Sequence, residues 1–90
     1  MNVTIHAQDI KFDVTEIKAK VGQQINITYI NEGTLDHNFI IEGVVPEQKL
    51  QSGEQATFSF TPTTAGTLEY HCTIPGHLEA GMKGTVIVEP

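Results

Sequence analysis

Ile25, Ile27 and Tyr29 alternate with Gln24, Asn26 and Thr28, and the same beat returns where Ala56, Phe58 and Phe60 alternate with Gln55, Thr57 and Ser59. A period of two is that of a strand with one face buried and one face wet. Short runs of this kind occupy residues 2–7, 15–21, 24–31, 37–43, 55–61, 67–72 and 83–89. Turn-forming sequences separate them, among them "VGQ" at 21, "NEGT" at 31, "SGE" at 52, "TPTTAGT" at 61 and "TIPGH" at 73. No segment of ten or more residues keeps a helical period. The pattern predicts an all-β domain, a two-sheet Greek-key β-sandwich of about seven strands. Residues 42–54 form the one longer connection, with room for a short helical turn. Phe12, Tyr29, Phe39, Phe58, Phe60 and Tyr70 are the expected aromatic core.

Ninety residues make one small body, so residues 1–90 are read as a single domain. Eleven acidic residues against five lysines and no arginine give a net charge of −6. Such a surface does not neutralise phosphates, which excludes nucleic acid as a partner and favours a basic one. The apolar runs are too short for a membrane-spanning helix. "MNVTIHAQ" lacks the regions of a signal peptide, so the chain is read as cytoplasmic or as a mature domain whose export signal has been removed. Its single cysteine has no internal partner for a disulfide and needs another explanation.

That cysteine lies in "YHCTIPGHLEAGM", residues 70–82, together with two of the four histidines and one of the two methionines. Cys72, His77 and Met82 are each separated by four residues, a spacing that fits neither one strand face nor an i, i+4 helical metal site. The intervening "TIPG" and "LEAG" are rich in turn formers, so a loop here can fold three donors toward one point at the open end of a sandwich. His37, which begins a strand after "NEGTLD", is the best candidate for a fourth. A thiolate, two imidazoles and a thioether are the donor set of a blue-copper centre, with the thioether as a weak, long partner. Zinc takes a further His, Cys or carboxylate more readily than Met, and structural zinc motifs bring paired cysteines.

"DHNFII" together with "YHCTIPGHLEAGMKGTVIVEP" resembles the cupredoxin family of small blue-copper proteins, and is most similar to its auracyanin- and plastocyanin-like members. The resemblance implies one type 1 copper ion held by His37, Cys72 and His77, with Met82 as the axial ligand. It implies a one-electron carrier cycling Cu(II) and Cu(I), not an enzyme, working as a monomer outside the cytoplasm, in the periplasm or at the outer face of the cell membrane, with a membrane tether outside the given chain allowed. It also implies redox protein partners that dock near His77 on an apolar patch, here Leu35, Pro75, Gly76, Leu78, Ala80 and Gly81. Asn38 matches a polar position that ties the two ligand loops together, and Thr73 is its expected partner.

Plainer readings exist for each residue alone: Cys72 as a small core side chain, Met82 as a gap filler and His37 as a loop histidine. A Cys72–histidine nucleophile is the enzymatic alternative, but it leaves Met82 unexplained and needs a cleft. An electron-entry domain of a larger copper oxidoreductase, and a copper delivery or storage protein, are the other functional readings. His71 falls on the outward parity of its strand and is read as a solvent-facing residue, and His6 as a surface or edge-strand residue without a nameable partner.

Overall fold

The computed structural model describes residues 1–90 as nine strands in two sheets. All seven predicted strands form, with ends shifted by no more than two residues. They are β1 (Asn2–Gln8), β3 (Glu16–Lys20), β4 (Ile25–Asn31), β5 (His37–Ile41), β7 (Gln55–Phe60), β8 (Gly66–His71) and β9 (Lys83–Glu89). The two additions are β2 (Lys11–Phe12) and β6 (Val45–Leu50). β6 corrects the expectation of a helical turn within 42–54. Its alternation is hidden because only Val45 and Leu50 are buried, Pro46 interrupts the run, and the register against β5 slips between Phe39 and Ile41. Proline is tolerated there because β6 is an edge strand.

One sheet has the order β2-β1-β4-β7 and the other β3-β9-β8-β5-β6. β1 runs parallel to β4 and β3 parallel to β9, while the remaining pairs are antiparallel. Alternation turns Ile5, Ile25, Ile27 and Tyr29 of the first sheet toward Phe39, Ile41, Tyr70 and Val86 of the second, all nearly or fully buried. No helix is long and apolar enough to cross a membrane.

Phe39 sits at the centre of the aromatic packing, with ring centroids 5.1 Å from Tyr70 and Phe58, 5.5 Å from Tyr29 and 6.0 Å from Phe12. Offset and tilted contacts of this kind add to the area they bury. Since Phe39 is two residues beyond His37, this packing fixes the start of β5. β5 and β8 are bridged only at Ile40 and His71, so Cys72, where the chain leaves β8, emerges beside Asn38.

Both buried tyrosines keep a partner for the hydroxyl: Tyr29 donates to the Asn38 carbonyl at 3.0 Å and Tyr70 to the Val14 carbonyl at 2.7 Å. Burial first, then nearby Cys72 for Tyr29 and Asp13 for Tyr70, pushes both phenols well above their ordinary value of about 10. Above that value the unfolded chain loses protons that the folded chain retains, so stability falls as pH rises. These are the only two tyrosines. In an alkaline titration their phenolate absorption is expected to develop together with the loss of far-UV β signal. Phenolate appearing near pH 10 with the fold intact would contradict this packing.

Candidate metal centre

β5 delivers His37 as its first residue, and the connection from β8 to β9 delivers Cys72, His77 and Met82. That connection is a run of turns. The His77 N–H donates to the Ile74 carbonyl at 3.0 Å, Ala80 to Gly76 at 3.2 Å and Gly81 to Leu78 at 2.9 Å. Gly76 and Gly81 adopt φ of 85° and 97°, a region that side-chain-bearing residues rarely enter, and this lets the chain reverse on either side of His77. The loop closes where the Cys72 N–H donates to the Met82 carbonyl at 3.2 Å and the Met82 N–H to the His77 carbonyl at 3.0 Å.

The result is that His37, Cys72 and His77 converge, each offering one donor atom within 4.8 Å of the other two. Cys72 Sγ lies 3.3 Å from His77 Nδ1, and the two imidazole centroids are 4.9 Å apart. His37, Cys72 and Met82 are wholly buried and His77 is 6% exposed. Met82 is held beside this cluster by its two backbone bonds. His37 Nδ1 is buried with no hydrogen-bond partner, which a folded protein avoids unless another ligand completes it. Burial, and then the adjacent His37, pushes the His77 imidazole below its ordinary range, with Asp9 opposing. The neutral ring keeps a lone pair to donate. A soft sulfur pair with two imidazoles in a dry pocket fits a copper ion.

Asn38 joins the two ligand segments, as its position suggested. Its backbone N–H points at Cys72 Sγ at 3.5 Å, its Nδ2 donates to Thr73 Oγ1 at 2.5 Å, and its Oδ1 accepts the Thr73 N–H at 2.6 Å. Nδ2 also donates to Glu47 Oε2 at 2.6 Å. Asn31 braces the loop before His37, donating to the carbonyls of Leu35 at 2.9 Å and Leu50 at 3.1 Å and accepting the Gly33 N–H at 3.0 Å.

Three supporting residues escaped the sequence reading: Asn31, Glu47 and Asp9. Asn31 ends β4 on the buried parity of Ile25, Ile27 and Tyr29 but reads in sequence as the start of the turn "NEGT", and Glu47 lies in the irregular edge strand β6. Asp9 follows β1 in a short turn, yet its Oδ1 accepts the Nε2–H of His37 at 2.8 Å. The Thr34 hydroxyl and N–H, followed by His37, hold its carboxyl well below the usual carboxylate range. No local pattern signals such contacts, since each depends on which loops the sandwich brings together.

His71 is more covered than its parity implies. Its side chain is 14% exposed, with Nδ1 3.7 Å from Glu69 Oε1 and Nε2 4.0 Å from Glu42 Oε1. Ile40, its bridge partner on β5, shields the same face. His6 has a partner after all, Asp13, whose Oδ2 is 2.8 Å from its Nδ1.

A cupredoxin-like domain model matches residues 1–88. The chain belongs to the cupredoxin-like family. Among cupredoxin relatives, amicyanin of Paracoccus denitrificans is 32% identical over 97% of the chain and 65% of its own length. The copper-resistant cuproprotein CopI of Rubrivivax gelatinosus is 25% identical over 93% of the chain and 63% of its own length. The chain thus spans a little under two thirds of these two proteins. The crystal structure of dithionite-reduced auracyanin from Roseiflexus castenholzii superposes with a TM-score of 0.88, covering 99% of this chain and 97% of that one at 24% identity. This cupredoxin therefore shares the auracyanin fold, as the resemblance of its motifs implied.

Replacing Asn38 by Ala strands the Thr73 N–H and frees both ligand segments. The expected loss in urea unfolding of the metal-free protein is about 1–2 kcal/mol, the net worth of a few part-buried hydrogen bonds whose remaining partners, Thr73 and Glu47, are exposed. A double-mutant cycle with Thr73→Val is expected to give a coupling of about 1 kcal/mol, whereas strict additivity would show that the cross-link carries no energy.

Proposed function

We propose that this cupredoxin is a one-electron carrier whose copper ion is held by His37, Cys72, His77 and Met82. The convergence of three buried donors, with His37 Nδ1 left unpartnered, is the observation that carries the reading. A copper ion held there supplies the redox change, alternating between Cu(II) and Cu(I) with no bond made or broken in a partner molecule. The chain's own contribution is rigidity and exclusion of water. His37 is fixed by the aromatic packing around Phe39, and Cys72 is fixed through Asn38, so the donors keep their places when the charge between them changes.

Partners are proposed to dock over His77, whose edge is the least buried part of the donor set. Leu35 and Leu78 are 43% and 38% exposed, and together with the neighbouring Pro75, Gly76, Ala80 and Gly81 they are proposed to form a small apolar face around His77. A contact of this size suits a brief redox encounter by a monomeric protein. The net charge of −6 favours a basic partner, with an association rate that falls as salt rises. A location outside the cytoplasm accords with the family reading. Delivery or storage fits less well, because exchange favours exposed ligands and these are buried.

Adding Cu(II) to the purified metal-free chain is expected to produce the intense visible band of copper thiolate charge transfer. Cys72→Ser is expected to abolish it. No band, or a band that survives the substitution, overturns the reading. Reversible voltammetry then separates a carrier from a storage protein, which would lose metal on reduction. Met82→Leu is expected to keep the colour and raise the potential by removing a donor to Cu(II). A colourless, metal-free variant would show that Met82 has been given the wrong role.

A further inference from the structure

Asp9 belongs to the turn between β1 and β2, 28 residues before His37, and comes from the opposite sheet. Its Oδ1 takes the Nε2–H of His37, so the other ring nitrogen, Nδ1, is the one left with a free lone pair. Further bonds fix the carboxylate. Oδ2 accepts from the Thr34 hydroxyl at 2.6 Å and the Thr34 N–H at 2.8 Å, and Oδ1 accepts from the Leu35 N–H at 3.3 Å. The chain also wraps closely here: a Cβ at Gly33 would fall on the Asp9 carboxylate and within 3.0 Å of His37 Nε2. Turning Asp9 away breaks four hydrogen bonds at once, while its side chain remains only 29% exposed.

We infer that Asp9 is a positioning residue for the metal centre: its carboxylate locks His37 in the Nε2–H form, aims the bare Nδ1 at the other donors and makes the ring a stronger donor. A carboxylate behind a ligating imidazole fixes tautomer and orientation and raises ligand basicity. A neutral acceptor would also fix the tautomer, but the negative charge adds attraction that favours the more highly charged copper state. Asp9 therefore sets the balance between Cu(II) and Cu(I). This inference rests on the copper reading above.

The test uses the full chain and the variants Asp9→Asn, Asp9→Ala, Thr34→Val and Asp13→Asn. In the metal-free wild type, nitrogen NMR is expected to show His37 as the Nε2–H tautomer, and Asp9→Ala is expected to mix the two tautomers. In the copper form, Asp9→Asn is expected to lose about tenfold in affinity for Cu(II) relative to Cu(I). For one electron that is a rise of about 59 mV in potential. Asp13→Asn removes an equal charge at the His6 pair, and Thr34→Val removes one support of Asp9 while sparing the bond to His37. Both are expected to stay close to wild type. An Asp9→Asn shift no larger than that of Asp13→Asn overturns the electronic role. A shift matched by Thr34→Val reduces Asp9 to loop support and overturns it equally. An unchanged His37 tautomer in folded Asp9→Ala overturns the positional role. A wild type that forms no coloured copper complex defeats the copper reading itself, and the metal-free tautomer then decides separately whether Asp9 holds His37.

Discussion

Asn38 and Thr73 are 35 residues apart in sequence and are held by two reciprocal hydrogen bonds, with the Asn38 N–H directed at Cys72 Sγ beside them. The donor cluster depends on this junction because its members come from two separate pieces of chain. β5 and β8 are bridged at one position only, so the sheet ladder alone leaves their ends loosely joined. Each such bond is worth about 1 kcal/mol net, and leaving the buried Asn38 amide unpaired costs more than making the bonds gains. The junction thus discriminates strongly against any arrangement that separates His37 from Cys72. Glu47 adds a second acceptor for the Asn38 amide and ties β6 into the same network.

The hydrophobic core makes that junction possible. Phe39 locks β5 between Tyr29 of one sheet and Tyr70 of the other, and Tyr29 reaches up to the Asn38 carbonyl. One aromatic cluster therefore positions both the strand that begins with His37 and the strand that ends just before Cys72. Interiors packed to crystal-like density transmit small displacements instead of absorbing them. For the proposed copper centre, whose charge would change by one unit, a frame of this stiffness would limit how far the donors move.

Much of this was legible because it is encoded over short distances. Alternation in 24–31 and 55–61 reports burial directly, and the seven strands with such patterns all formed. Cys72, His77 and Met82 share one loop, so their spacing could be read without knowing the fold. The parts that stayed hidden have a common cause. β2 is two residues long, too short to show a period, and β6 is an edge strand with a proline and a register slip. Asp9, Asn31 and Glu47 act through contacts 28, 19 and 9 residues away, to His37, Leu50 and Asn38, and composition around them looks like ordinary turn or strand surface. His71 shows the reverse limit: parity gave its face correctly but not the cover supplied by the neighbouring strand.

In the proposed copper site, metal entry and electron transfer would make opposite demands. Transfer favours donors that are dry and fixed, whereas loading requires them to be reached. The loop from Cys72 to Met82 reconciles the two, because its inner hydrogen bonds are local, from His77 to Ile74, Ala80 to Gly76 and Gly81 to Leu78. Its outer residues Gly76, Leu78, Glu79, Ala80 and Gly81 are exposed and contribute little to the core. The β8–β9 ladder begins immediately beneath, with His71 opposite Lys83 and Tyr70 opposite Gly84. Opening the loop therefore breaks the closure between Cys72 and Met82 without unzipping the strands. Segments with few buried apolar contacts open at free energies well below global unfolding. His37 lies outside this loop and is held from the other sheet by Asp9, so the four residues that would hold a copper ion divide into one fixed by the sandwich and three carried by a locally bonded loop.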